Sequence, residues 1–250
     1  MAQSISPISE ISRVFNNTWE FYSKNMGVLA IFSIPFIIAF IIALIVPTPT
    51  YLALGNLHVR TGSIPDLSFL DIILTIFAYA ISVFLVADVW TNINLLIRSK
   101  RTKVPTSSEI LAGVQEYALS IFFVFTIMVL FQFALHIVTY DSSLQQWLYP
   151  LLSFLLSFFL FFVPPAVVID HADSFTAIQL SINMAIKKWY LVLIWAILGL
   201  GMMSILKVVL DLIIKPYSEI LLLLINSLLI LPFLVILQTQ MYMEKYPLAK

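Results

Sequence analysis

Apolar residues along this chain fall into six long runs that are separated by short polar stretches. A helix needs about 20 residues to cross a hydrocarbon core about 30 Å thick, and each run is that long. The pattern predicts an all-α, polytopic integral membrane protein that forms a single domain over residues 1–250. Its predicted spans lie at about 26–46, 69–95, 117–138, 147–169, 190–214 and 219–243.

The last two runs are separated only by the sequence KPYS, residues 215–218. Proline has no backbone N–H and cannot continue helical hydrogen bonding. A single helix over both runs would also be about twice as long as a membrane requires. We therefore predict a helical hairpin here, and a short outer loop at roughly 47–68.

The positive charges are distributed unevenly between the two sides of this predicted topology. Of the 13 Lys and Arg residues, ten fall in the terminal segments and in the loops on the same side. Arg60 and Lys215 fall on the other side, and Lys207 lies within the fifth span. Loops rich in Lys and Arg stay in the cytoplasm. The sequence thus predicts a multi-pass protein of the cell membrane with both termini in the cytoplasm.

Three stretches on the predicted cytoplasmic side carry apolar residues at helical spacing. They are residues 8–22, 105–117 and 170–190, and each precedes a span that runs outward. One apolar stripe opposite a polar face is typical of a helix that lies in the membrane interface. The sequence therefore predicts three cytoplasmic interfacial amphipathic helices in addition to the six spans.

Composition supports this class. The chain is 61% hydrophobic and only 10% charged, whereas a soluble domain carries about 25% charged residues. The formal net charge is +0, which gives no general reason to expect a nucleic-acid partner. The basic run Arg98–Lys103 would attract nucleic acid or anionic lipid, but a loop that determines topology is expected to be basic as well.

The segment FFVPPAVVIDHAD, followed by SFTAIQLSINMAIKKWYLVLIW, resembles the YciC-like membrane proteins and the membrane domain attached to some glycerophosphodiester phosphodiesterases. The similarity covers about residues 150–200. It implies a six-helix integral membrane protein without known catalytic residues. The positions that match are Asp170, Ala177, Ser181, Lys187, Lys188 and Trp189.

Polar residues within the predicted spans are the candidate functional residues, because ionisable groups in a bilayer usually serve a function. Lys207 and Asp211 are four residues apart, near the outer end of the fifth span, and form either an interfacial ion pair or part of a polar lining. The candidate lining consists of Asp71, Gln132, His136, Lys207 and Asp211 towards the outside, and Asp88 and Asn92 towards the cytoplasm.

The middle of the predicted membrane contains no formal charge. Asn226 and Ser227 lie there, and we interpret them as residues for helix packing or interhelical hydrogen bonds. Pro35, Pro164–Pro165 and Pro232 are positions where a span breaks or kinks. The absence of charged residues from the membrane centre disfavours proton relays and strongly ion-coupled transport. Transport without ion coupling remains an open alternative.

No sequence motif indicates catalysis. The chain has no cysteine and only six glycines, and it contains no nucleophile elbow, zinc-protease motif, P-loop or dinucleotide-binding motif. We expect no enzymatic activity and no cofactor. Scattered His and Asp residues give no zinc spacing, so we expect no metal site.

Two functional classes follow from these features. Polar groups near both membrane surfaces favour a transport-related component, either a permease or a channel-like subunit of a larger machine. The alternative is a scaffolding protein that organises lipid or anchors partners, with DNA import as a special case that rests only on the basic loop. The lipid bilayer is the expected partner in each case, together with other membrane proteins or further copies of the chain.

Overall fold

The computed structural model describes residues 7–45, 50–53, 57–60, 69–102, 107–139, 142 and 145–244. These residues are almost entirely helical, which confirms the predicted class. The helices are α1 (Pro7–Phe32), α2 (Ile34–Ile45), α3 (Phe69–Thr102), α4 (Ser107–Thr139), α5 (Gln145–Phe159), α6 (Val163–Asp170), α7 (Ser174–Lys187), α8 (Trp189–Ile213), α9 (Ser218–Ile225) and α10 (Leu231–Met243).

The predicted outer loop contains the described strands. Strand β1 (Thr50–Ala53) pairs antiparallel with β2 (Leu57–Arg60), and Thr50 lies opposite Arg60 in the register. Each strand has four residues, so the backbone ribbon is short. This β-ribbon is the one departure from the all-helical prediction within the described residues.

Five of the described helical segments are long and apolar enough to cross a membrane. A sixth candidate is a bent pair, Ser9–Phe32 with Ile34–Ile42, whose halves meet at 46°. By length and apolarity, the described residues therefore contain five candidate membrane spans, or six if the bent pair counts as one, as in a membrane protein. The five unbent candidates are Ile73–Ser99, Glu116–Leu135, Gln146–Asp170, Trp189–Ile213 and Lys215–Met243.

The bend in the first candidate span lies at Ser33, just before Pro35. Because proline has no N–H, the carbonyl of Ile31 loses its usual helical donor. The hydroxyl of Ser33 donates to the carbonyl of Leu29 at 2.7 Å, a local bond that often accompanies helix bending. The predicted break is therefore present.

The predicted interfacial stretches are organised differently from one another. Residues 8–22 continue without interruption into the first span as part of α1, and residues from Ser107 onward continue into the third span as part of α4. No proline interrupts either helix after its first residue, so backbone hydrogen bonding runs through. Helix α7 is separate, because His171 adopts a left-handed conformation with φ 55° that ends α6.

Helix α3 lies at the centre of the bundle, in contact with α1, α2, α4, α6 and α10. The helices alternate in direction. We call the end that carries Glu10, Lys188 and Glu244 the Glu10 end, and the opposite end, near Thr139 and Lys215, the Lys215 end.

Burial is concentrated towards the Glu10 end. Every residue of α6 from Val163 to Val168 is buried, and α10 is buried from Leu234 to Met243. By contrast, only 17% of the most apolar window of α8 is buried, against 61% for the α5–α6 span. Helix α8 therefore presents most of its apolar surface outward.

Candidate functional site

Lys207 belongs to an ion cluster at the Lys215 end. Its Nζ lies 3.4 Å from Oδ2 of Asp211 and 2.5 Å from Oε1 of Glu219. The turn Lys215–Tyr217 reverses the chain and brings Glu219 back to α8. Lys207 and Asp211 are 42% and 41% exposed, and Glu219 is 78% exposed. The cluster therefore lies at the surface of the bundle, and the sequence pattern missed its third member, Glu219.

The other predicted residues of this end lie on α3 and α4, which pack together. Asp71 lies in the first turn of α3 and His136 in the last turn of α4, but the side chains of both are outside the described residues. Gln132 is 4% exposed, and its Nε2 has no hydrogen-bond partner. Among the described side chains of this group, Gln132 is thus a buried amide whose nitrogen is unpaired.

Asp88 and Asn92 contact each other on one flank of α3. The Nδ2 of Asn92 donates to Oδ2 of Asp88 at 3.1 Å, and both residues are half-buried. Thr91, which the helical spacing groups with them, is fully buried and donates to the carbonyl of Ala87. Of these three polar residues, only Asp88 and Asn92 are therefore partly exposed at the surface of α3.

A buried hydrogen-bonded bridge connects α3, α10 and the break between α5 and α6. The indole Nε1 of Trp90 donates to Oε1 of Gln238 at 2.7 Å. The Nε2 of Gln238 donates to the backbone carbonyl of Phe161. Trp90 and Gln238 are each 1% exposed. We call this contact the Trp90–Gln238 bridge.

A second pair lies about one helical turn closer to the Glu10 end. The hydroxyl of Thr239 lies 2.6 Å from Oδ1 of Asn94, and Nδ2 of Asn94 donates to the carbonyl of Trp90. Both residues are fully buried. Polar groups in these two contacts satisfy one another, so the helices are held tightly together here. The sequence signal was the polar run Gln238–Gln240 inside an otherwise apolar span.

Charged residues close the Glu10 end around the start of α1. The Nζ of Lys188 lies 2.6 and 2.7 Å from the two carboxylate oxygens of Glu10, and the Tyr190 hydroxyl donates to Glu10 at 2.9 Å. Burial lowers the pKa of Lys188, but hydrogen bonds to Glu10 and Tyr190 outweigh it and raise the pKa overall. Arg13 donates through Nε to Glu244 at 3.1 Å. The cluster joins α1 to α8 and to the end of α10.

His171 forms a second polar cluster at the same end. Its Nδ1 is hydrogen-bonded to the Tyr117 hydroxyl, and Arg98 donates to that hydroxyl at 3.3 Å and to the carbonyl of Val168 at 3.1 Å. Burial and the positive charge of Arg98 lower the pKa of His171, while the carboxylates of Glu116 and Asp170 oppose the shift. These contacts join α3, α4 and α6.

Helix α7 packs across the break between α5 and α6. The Ser181 hydroxyl donates to the carbonyl of Phe159 at 2.6 Å and accepts the N–H of Phe162 at 2.9 Å. Pro164 and Pro165 follow this break and cannot donate backbone hydrogen bonds. The fully buried Ser181 therefore forms hydrogen bonds with two backbone groups that would bond to each other's helix neighbours in a continuous helix.

The start of α7 explains the acidic segment that precedes it. The carboxylate of Asp173 accepts the backbone N–H groups of Phe175 and Thr176. A hydrogen bond from the Thr176 side chain, supported by these backbone bonds, lowers the pKa of Asp173. Asp173 is thus a helix N-cap.

The last span is interrupted near its middle by a π-helical segment, Asn226–Ile230. The N–H of Leu231 donates to the carbonyl of Asn226, five residues earlier, and Pro232 follows directly. Asn226 is 7% exposed and Ser227 is fully buried, yet Oδ1 of Asn226 and Oγ of Ser227 have no hydrogen-bond partner. The expected interhelical hydrogen bonds of these two atoms are therefore not formed.

Among the described residues, no three His, Asp or Glu side chains come together as metal ligands. Comparison of the chain with protein-family models, with curated proteins and with solved structures finds no match. The resemblance over residues 150–200 therefore stays a prediction that rests on the matching residues alone.

Proposed function

We propose that this chain is a transport-related membrane component, either a permease or a channel-like subunit of a larger machine. One observation carries this proposal: two interrupted spans pack against each other. The Tyr22 hydroxyl in the first span donates to the carbonyl of Leu229 in the π segment at 3.3 Å, and α2 contacts the same segment. Discontinuous helices that meet within the membrane are the elements from which many transporters build their binding sites.

The difference between the two ends supports the same function. At the Glu10 end, the Trp90–Gln238 bridge and the Asn94–Thr239 contact join helices through fully paired polar groups. Towards the Lys215 end, by contrast, the Nε2 of buried Gln132 has no hydrogen-bond partner. A permease that works by alternating access opens one side while the other is closed. In this proposal the Glu10 end is the closed side of the structure described here.

The charge distribution supports an orientation with the Glu10 end in the cytoplasm. The chain contains no cysteine, so single cysteines can be introduced into the otherwise unaltered protein. Ser12→Cys and Tyr217→Cys place thiols at exposed positions near the two ends. We expect an impermeant maleimide added to intact cells to label only Tyr217→Cys. Labelling of both variants from the same side would contradict the orientation.

Solute flux into proteoliposomes tests transport itself. The purified chain is reconstituted and flux of ions and uncharged solutes is measured against empty vesicles. We expect at least one solute to enter faster with the protein present, and Asp88→Ala on the half-buried flank of α3 to change that rate. Glu20→Ala, an exposed carboxylate of α1 that is paired with Lys24, is the matched control and should leave the rate unchanged. Absence of flux under every gradient would contradict the proposal.

The alternative is a scaffolding role, and the surface of α8 favours it. Ile197, Leu200, Ile205, Val208 and Leu212 are all largely exposed on this one helix. Such a surface contacts lipid or a membrane-protein partner. Absence of flux together with a stable oligomer in native-lipid nanodiscs would favour this alternative.

A further inference from the structure

Asn226 and Ser227 differ from the other buried polar residues that the structure describes in the last span. Gln238 and Thr239 each have a polar partner on a neighbouring element. Asn226 and Ser227 expose 7% and 0% of their surfaces, and the two oxygen atoms have no partner. A buried polar atom without a hydrogen bond destabilises the folded protein. Such a cost suggests that these atoms are used by something other than the protein itself.

The backbone at this position is also irregular for an identifiable reason. Pro232 has no N–H, so the carbonyl of Leu228 loses the donor that an α-helix would provide. The chain responds with π-type bonding, as the Leu231 N–H to Asn226 carbonyl bond shows. Single π-helical turns inside α-helices occur frequently at functional sites. The unpaired side-chain oxygens and the π-helical backbone thus lie in the same segment.

Neighbouring polar groups do not reach the two free oxygens. The segment is contacted by α1, α2 and α8. The Tyr22 hydroxyl donates to Leu229, and the Ser33 hydroxyl donates to Leu29 in its own helix. The nearest charge on α8 towards the Lys215 end, Lys207, is bound to Asp211 and Glu219. The oxygens are therefore available to a ligand.

We propose that Asn226 and Ser227 form a subsite, midway along the last span, for a small uncharged solute that donates hydrogen bonds through hydroxyl or amide groups. The amide oxygen of Asn226 only accepts, so it requires a donor, while the Ser227 hydroxyl serves as donor or acceptor. This inference rests on the proposed transport function and names its substrate class.

The surroundings select against ions. Residues 220–243 contain no Asp, Glu, Lys or Arg, and the segment itself is otherwise Leu and Ile. Two neutral oxygens replace only a small part of the hydration shell of an ion, whose dehydration in an apolar medium is very costly. The free energy needed to remove water from a neutral hydroxyl or amide compound is much smaller.

The stability of two matched variants tests whether the oxygens are free. Asn226→Leu removes an unpaired group, so the free energy of unfolding should stay the same or rise. Asn94→Leu is the control: this buried asparagine is bonded to Thr239 and to the Trp90 carbonyl, and its loss should lower stability. Ser227→Ala provides a second measurement if Asn226→Leu does not fold. Equal losses for the two asparagine variants would overturn the proposal.

Uptake of glycerol and urea tests the subsite directly. Stopped-flow light scattering follows re-swelling of proteoliposomes in each solute. We expect the wild type to exceed empty vesicles for at least one solute, and Asn226→Leu and Ser227→Ala to reduce that excess at least fivefold, while Ser204→Ala, an exposed serine of α8, leaves it unchanged. Flux of charged solutes alone would overturn this inference but not the proposed function. No flux of any solute would overturn both.

Discussion

Gln238 and Gln132 are buried to a similar degree in different halves of the bundle, and they differ in hydrogen bonding. Gln238 is 1% exposed and connects Trp90 to the Phe161 carbonyl, whereas Gln132 is 4% exposed and its Nε2 has no partner. The same contrast separates the two regions as a whole. The Glu10 end pairs its polar groups across helices, and the remaining length leaves several of them unpaired. The first arrangement fixes structure, and the second leaves groups free for ligands or movement.

The largest expected effect comes from substituting the paired glutamine. Gln238→Leu leaves the Trp90 N–H and the Phe161 carbonyl buried without partners, which should lower the free energy of unfolding by about 2–3 kcal/mol. Gln132→Leu loses no bond from Nε2 and should be neutral or slightly stabilising. Denaturation in mixed micelles, followed by tryptophan fluorescence or circular dichroism, compares them. A larger loss for Gln132→Leu would remove the distinction between the regions.

The charged clusters at the two ends give the next comparison. Glu10 is 8% exposed and bound to Lys188, whereas Glu219 is 78% exposed and bound to Lys207. Glu10→Gln should cost about 1.5 kcal/mol, since buried hydrogen bonds to charged groups are stronger, and Glu219→Gln less than about 0.5 kcal/mol. Unfolding at low and high salt measures both. Equal costs would show that burial does not separate the two clusters.

Two buried serines allow the same comparison of a paired with an unpaired group, with a smaller expected effect. Ser181→Ala removes a hydroxyl that holds Phe159 and Phe162 at the break in the fourth span, and should cost about 1 kcal/mol. Ser153→Ala removes a buried hydroxyl without a partner and should cost nothing. The expected order in melting temperature is Ser153→Ala at or above wild type and Ser181→Ala below it; the reverse order would contradict the assigned role of Ser181.

The smallest effect concerns pH at the Glu10 end. The pKa of folded His171 is lowered, chiefly by burial and then by Arg98, so the unfolded chain binds a proton more readily. Stability should be greatest above the ordinary histidine pKa of about 6.5 and fall as pH drops through and below it. The loss should stay below about 0.5 kcal/mol, because solvent screens an exposed ring. His171→Gln should abolish this part of the pH dependence, and an unchanged profile would assign it to other groups.

Much of the architecture was predictable because membrane-spanning helices leave a local signal. The apolar runs gave the helical class and the hairpin at Lys215, and proline positions indicated the interruptions near Ser33, Phe161 and Asn226. Hydrogen bonds within a helix join residues four positions apart, so the position of a proline in the sequence is enough to predict where one of these bonds is missing. The continuity of residues 8–22 with the first span was not predicted, since amphipathicity alone does not mark where a helix ends.

The candidate site was predicted less well. Depth along each span directed attention to Asp88, Asn92 and Lys207, yet the most completely bonded polar contacts involve Trp90, Asn94, Gln238 and Thr239. Whether a polar group is paired depends on which residue of another helix lies opposite it. That partner can be far away along the chain, as Trp90 and Gln238 are, at 148 positions.

The sequence by itself determined that this chain consists of long apolar helices, where those helices bend, and which residues are polar within them. These properties follow from composition, period and the missing N–H of proline, all of which act within a few residues. Only the tertiary structure decided which polar groups are satisfied and which, like Asn226 and Ser227, are left free. Pairing between helices depends on their relative rotation and depth, and packing of the whole bundle sets both.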